Sequence, residues 1–185
     1  MINHRAQKED EDLYLIQLGS CSGADLKIFH DVFPNLNFIS TDISDEILEF
    51  QKEKYSFDNY YFHTTHAEDI DSCFETFNLY SKKVILFSRG SLQYVNPFYL
   101  EMFFSKLKAV QQLDLFICDT TDLDFQEDDA SPNSSQRFDI VFNHKYERYA
   151  TPKTKVVKKE IIKPFDQKDV QNGNVAHTYV VFQNH

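Results

Sequence analysis

Leu15-Ile16-Gln17-Leu18-Gly19-Ser20-Cys21-Ser22-Gly23, followed by Phe38-Ile39-Ser40-Thr41-Asp42, is the part of this chain whose reading decides the fold. An apolar run enters a turn with glycines at 19 and 23, Leu26, Phe29 and Phe33 then recur at helical spacing, and a second apolar run ends on a lone acid. This is the layout of a nucleoside-binding βαβ unit. The glycine turn lets the backbone approach a ligand, and an acid closing the second strand can take ribose hydroxyls. The residues therefore predict an adenosine-containing cofactor.

Outward from this unit, strand and helix patterns alternate. A helix is predicted from Ala24 to Phe33, stopped by Pro34-Asn35, and a strand from Asn37 to Thr41. Ser44 is placed to cap a helix reaching Tyr55, Tyr60 to Thr64 reads as a third strand, and a helix is expected around Asp71 to Leu79. Val84-Ile85-Leu86-Phe87 has the continuous apolar character of a strand covered on both faces. Pro97 opens a helix predicted to run to Gln111, and Leu113 to Cys118 forms the fifth strand. Such alternation requires a parallel, doubly wound α/β sheet with helices on both faces.

Beyond Cys118 the pattern changes. Asp119 to Gln136 is polar and acidic and reads as a mobile loop. Ile140 to Phe142, Lys145 to Tyr149, Val156 to Ile162 and His177 to Phe182 then read as strands appended antiparallel to the sheet, with a turn at Gln171 to Asn174. A single domain is expected over residues 1 to 185, with a polar lead-in over residues 1 to 12.

Bulk properties narrow the function. With 185 residues the chain can bury one substantial core, and its formal charge of -10 argues against a nucleic-acid partner. No apolar run reaches the roughly 18 to 20 residues of a membrane span, which points to a soluble, cytoplasmic protein without a membrane partner. Cys21, Cys73 and Cys118 lie far apart in sequence, which predicts reduced thiols and no metal site.

Taken together, these residues resemble the class I S-adenosylmethionine-dependent methyltransferases from about Leu13 to Phe182. The resemblance implies a Rossmann-like, mostly parallel seven-stranded sheet with an antiparallel C-terminal strand, and S-adenosylmethionine as cofactor. Gly19 and Gly23 match the outer glycines of the family's turn, while Cys21 replaces the middle one and Gln17 replaces the acid usual at the end of the first strand. Ser20, Cys21 and Ser22 are expected to offer N–H groups to the methionine carboxylate. Asp42 matches the ribose-binding acid and Ile43 its apolar neighbour over adenine. Ala67 and Glu68 match the turn that reads the adenine edge, with His66 where an acid is common, and Ser88-Arg89 begins the loop that contacts methionine and lines the acceptor pocket.

The resemblance further implies direct methyl transfer to a small-molecule acceptor. Absence of an Asn-Pro-Pro-Tyr motif after the fourth strand tilts the reading towards oxygen. Gln93, Tyr94 and His144 are the candidates for orienting or deprotonating that acceptor. Arg89 suits either a ligand carboxylate or a surface ion pair, and Cys21 either a reactive thiol or a small residue in a glycine position. Closure of the pocket falls to the loop from Asp119 to Gln136, to a homodimer or other partner subunit, or to further sequence. A non-catalytic domain that keeps the fold and acts as a cofactor-binding or protein-partner module is the alternative, supported by Gln17, Cys21 and His66.

Overall fold

The computed structural model describes residues 13–162 and 175–184. Its strands are β1 (Leu13–Leu18), β2 (Asn37–Asp42), β3 (Tyr60–Thr64), β4 (Lys83–Arg89), β5 (Gln112–Asp122), β6 (Ser134–Phe138), β7 (Val141–His144), β8 (Thr154–Ile162) and β9 (Val175–Asn184). The helices are α1 (Ala24–Val32), α2 (Asp45–Lys54), α3 (Ile70–Thr76), α4 (Pro97–Leu107) and α5 (Leu123–Glu127). Seven strands form one sheet in the order β3-β2-β1-β4-β5-β9-β8, and β6 and β7 form a separate hairpin. The first five are parallel, while β9 runs antiparallel to both β5 and β8.

The sheet is apolar on both sides, as the near-continuous hydrophobic runs require. In β4, Ile85 joins Leu15, Leu26, Phe38 and Phe116 in one core, whereas Val84 and Leu86 join Ile16, Phe74, Leu100 and Phe103 in the other. Local signals set the helix starts. The Ser44 hydroxyl accepts the Ile47 N–H at 3.4 Å, and Asn96 accepts the Phe98 N–H at 3.0 Å just ahead of Pro97. Strand order reverses between β1 and β4, which leaves a crevice at the carboxyl ends of the strands.

Three expectations need correction. The fourth helix stops at Leu107 rather than Gln111, because the Asn184 side chain donates to the carbonyls of Leu107 and Val110 and the Gln111 N–H turns to Tyr80 O. The segment 119–136 is not one loop. β5 continues to Asp122 because β9 pairs with it that far, α5 follows, and the acids are engaged internally, Asp122 with Arg137 at 2.7 Å and Asp128 with the Ser131 hydroxyl at 2.8 Å. Finally, Lys145 to Tyr149 is no strand but mostly a 3₁₀ turn that buries Tyr146 and Tyr149. The polar lead-in, the turn at Gln171 to Asn174 and the outer reaches of the single-domain assignment lie outside the described residues.

That turn places a hydroxyl beneath the crevice. Tyr146 donates to Asp119 Oδ2 at 2.5 Å, and the Ser91 N–H donates to Asp119 Oδ1 at 3.1 Å. A buried carboxylate at the end of β5 thus holds the loop that follows β4. Burial raises its carboxyl from 3.8 to about 6, against the lowering effect of Tyr146 and of the amides of Gly90, Ser91 and Gln93. Its ordinary value applies in the unfolded chain, so its contribution to folding is full below pH 3.8 and is lost as pH rises through about 6. Urea unfolding of wild type and Asp119→Asn should therefore show their stability difference moving against the wild type by about 2 kcal/mol between pH 4 and pH 8. A difference independent of pH would contradict this reading.

Candidate functional site

The site grows from the turn between β1 and α1. Gly19 has φ +66°, and a Cβ there would lie 2.2 Å from Ser91 Oγ on the loop after β4, so the two loops meet only because the side chain is missing. Gly23 has φ +73°, with Gln51 Oε1 2.7 Å and a Tyr55 ring carbon 2.8 Å from where its Cβ would be. Both are positions that glycine alone occupies without strain. Gln51, buried on α2, donates to Ser20 Oγ at 2.9 Å and to Cys21 O at 2.7 Å. Ser40 Oγ lies 2.6 Å from both Ser20 Oγ and Gln51 Oε1. The turn is thereby fastened to β2 and α2 before any ligand is considered.

Asp42 stands at the centre. Its Oδ2 accepts the Cys21 N–H at 3.0 Å and its Oδ1 accepts the Ser44 N–H at 3.2 Å. A carboxylate has about four lone-pair sites, so acceptor capacity remains for two ligand hydroxyls. Asp42 borders a cavity of about 730 Å³ shared with Ile43, Ala67, Glu68 and Tyr94, within the roughly 300–1,000 Å³ of small-molecule sites. Among the described residues, Asp42 and Glu68 are its acids, and neither lysine nor arginine lines it. An acid beside an exposed isoleucine, faced by the turn after β3, suits a ribose and a flat base.

A second cavity of about 620 Å³ lies towards β5 and shares Gly19, Cys21 and Gly90 with the first. Arg89 and Asp25 border it, paired at 2.8 Å. Gln17 also borders it, with Nε2 donating to Asp25 Oδ2 at 3.3 Å and Oε1 buried without a donor among the described residues. Reversing that amide would set an oxygen against a carboxylate, so the orientation is fixed by charge. A buried acceptor without a donor costs on the order of 1–3 kcal/mol, which a ligand hydroxyl or ammonium group would recover.

The expected residues divide between these spaces. Asp42, Ile43, Ala67, Glu68 and Tyr94 border the first cavity, Ser20, Ser22 and Arg89 the second, and Gly19 and Cys21 both. The expected carboxylate cradle needs correction at two of its three amides, since the Ser20 N–H is committed to Thr41 O at 2.9 Å and the Cys21 N–H to Asp42. Gly23 and Ser88 border neither cavity, Gly23 serving as the N-cap of α1 and Ser88 being fully buried.

Two acceptor candidates fall away. Gln93 is buried and spends its side chain within the protein, accepting the Thr120 N–H at 3.2 Å and donating to Gly90 O at 3.2 Å. His144 borders neither cavity and lies buried, with Nδ1 2.7 Å from the Ser134 hydroxyl. Burial lowers its imidazole to about 4, so it stays neutral at physiological pH and serves the interior. Sequence reasoning missed Tyr99, Ile140, Asp25 and His177, all of which border a cavity. The helical stripe of α4 could have exposed Tyr99 as an outward residue. His177 is brought in only by its pairing opposite Thr120, a register that the sequence does not display.

No family model and no curated sequence matches the chain. Its architecture, however, matches many solved structures. A SAM-dependent methyltransferase from Anabaena variabilis aligns with a TM-score of 0.67 at 12% identity, covering 100% of this chain and 82% of that one. Geranyl diphosphate methyltransferase in complex with SAM aligns with a TM-score of 0.66 at 9% identity, covering 98% and 85%. Coclaurine N-methyltransferase bound to N-methylheliamine and SAH gives 0.66 at 9% identity, covering 97% and 69%. At such identities the likeness is one of fold, and it agrees with the strand order and antiparallel β9 described above. The chain has the class I S-adenosylmethionine-dependent methyltransferase fold.

Proposed function

We propose that the chain is an S-adenosylmethionine-dependent methyltransferase acting on an oxygen of a small-molecule acceptor. The observation that carries this reading is the Asp42 carboxylate, held by the Cys21 and Ser44 amides at the rim of the first cavity with Ile43 beside it. In this reading Asp42 takes the ribose hydroxyls, Ile43 covers the base, and Ala67 and Glu68 receive its edge. The methionine half crosses the shared wall of Gly19, Cys21 and Gly90, where Arg89 and the undonated oxygen of Gln17 offer one group each to a carboxylate and an ammonium. Bound there, the cofactor supplies a sulfonium-activated methyl group, so the protein needs chiefly to align the acceptor and exclude water.

Titration calorimetry with S-adenosylhomocysteine tests the assignment. Wild type should bind, Asp42→Ala should bind at least tenfold more weakly, and no binding by wild type at millimolar ligand would overturn it. The turn makes a second test. Cys21 holds φ +52°, a conformation that costs a residue with a Cβ about 1–2 kcal/mol. Cys21→Gly should keep the affinity and unfold at equal or higher urea concentration, whereas Gly19→Ala should lose binding because its methyl group collides with Ser91. Loss of binding in Cys21→Gly would mean that the thiol itself contacts the ligand.

The non-catalytic alternative draws on Gln17, Cys21 and His66 and on the committed N–H groups of Ser20 and Cys21. It predicts no methyl transfer to any member of an oxygen-acceptor panel of phenols, sugars and carboxylic acids, whether or not S-adenosylhomocysteine binds.

A further inference from the structure

The first cavity has two walls of different chemistry. Asp42, Ile43, Ala67 and Glu68, at the ends of β2 and β3, form the wall assigned above to the nucleoside. The other wall is made by Tyr94 and Tyr99, from the loop after β4 and the first turn of α4, and by Ile140 at the bend of the β6–β7 hairpin. These three are 51%, 45% and 62% exposed, so the protein's own cores do not explain them. They belong to one patch. Phe98 packs edge-on against Tyr99 with ring centroids 5.5 Å apart, and Phe138 stands two residues before Ile140, both of them exposed. Asn96 also lines this wall; its oxygen accepts the Phe98 N–H at 3.0 Å, which leaves its amide N–H groups and the tyrosine hydroxyls as hydrogen-bonding groups there. No charged side chain stands on this wall among the described residues.

We propose that this wall is the acceptor subsite and that it takes an aromatic hydroxyl compound, its flat body lying between the tyrosines and Ile140. The assignment rests on the methyltransferase reading and narrows its substrate class. Three features commit the occupant. The wall is continuous with the nucleoside wall in a single cavity, so an acceptor there lies alongside the cofactor. Its side chains are chiefly aromatic and apolar, which suits the face of a planar apolar body, and the tyrosine hydroxyls can meet that body's own hydroxyl. Finally, the nucleoside assigned above takes Asp42, Ile43, Ala67 and Glu68, which leaves Tyr94, Tyr99 and Ile140 at the border of the same cavity without an assigned occupant.

The probe is 2-naphthol, followed by its own fluorescence, with glucose as the polar control monitored by calorimetry. Protein saturated with S-adenosylhomocysteine should bind 2-naphthol and not glucose. Ile140→Asp and Tyr99→Ala, on separate elements, should each weaken that binding tenfold or more, with S-adenosylhomocysteine affinity changed less than threefold and the thermal midpoint retained. Unchanged naphthol binding in both variants would overturn the proposal. So would its displacement by S-adenosylhomocysteine, which would assign the aromatic wall to the adenine base. Failure of S-adenosylhomocysteine itself to bind would count against the methyltransferase reading alone, and naphthol binding to the free protein and its variants would still decide whether the wall is an aromatic site.

Discussion

The hydrogen bond from the Cys21 N–H to Asp42 Oδ2, 3.0 Å long, joins the ends of β1 and β2 and sets the shape of everything above the sheet. Parallel pairing places Leu18 beside Thr41, and the Ser20 N–H continues that pairing to Thr41 O. The next residue must then turn sharply to enter α1, and Cys21 does so in the left-handed region. A hydrogen bond to a carboxylate contributes about 1.5–3 kcal/mol, enough to offset the roughly 1–2 kcal/mol that the left-handed turn costs. The same bond orients the carboxylate at the cavity rim. One interaction therefore shapes the turn and presents the acid.

The crevice is held from below as well. Asp119 grips the loop after β4 through the Ser91 N–H, Tyr146 secures Asp119, and Ser91 Oγ donates to Gly19 O at 3.2 Å, so the ends of β5, β4 and β1 form one connected support. The wall common to the two cavities is built from that support. It is pinned to the protein interior by these hydrogen bonds.

Legibility in the sequence followed the range of the interactions. β1 to β5, the Ser44 cap and the Pro97 start were visible because apolar runs and capping residues act within a few positions. Gly19, Gly23 and Asp42 stood out for the same reason, as punctuation at strand ends. What escaped was set by distant partners. The extension of β5 to Asp122 depends on β9 more than 50 residues later, and the early end of α4 depends on Asn184. The role of Asp119 needs Tyr146, buried in a segment whose local pattern suggested a strand. Gln93 and His144 carried suitable functional groups for acceptor chemistry, yet only the tertiary structure reveals that Gln93 is engaged within the protein and that His144 is buried away from both cavities. The aromatic wall was hidden because it joins α4 to a hairpin tip some 40 residues further along the chain.

A crystal structure with S-adenosylhomocysteine tests the central claim most directly. The account predicts both ribose hydroxyls within hydrogen-bond distance of the Asp42 carboxylate, the base between Ile43 and the Ala67 turn, and the Cys21 N–H still bonded to Asp42. A ligand bound with its ribose away from Asp42, or a saturated crystal with neither cavity filled, would contradict it.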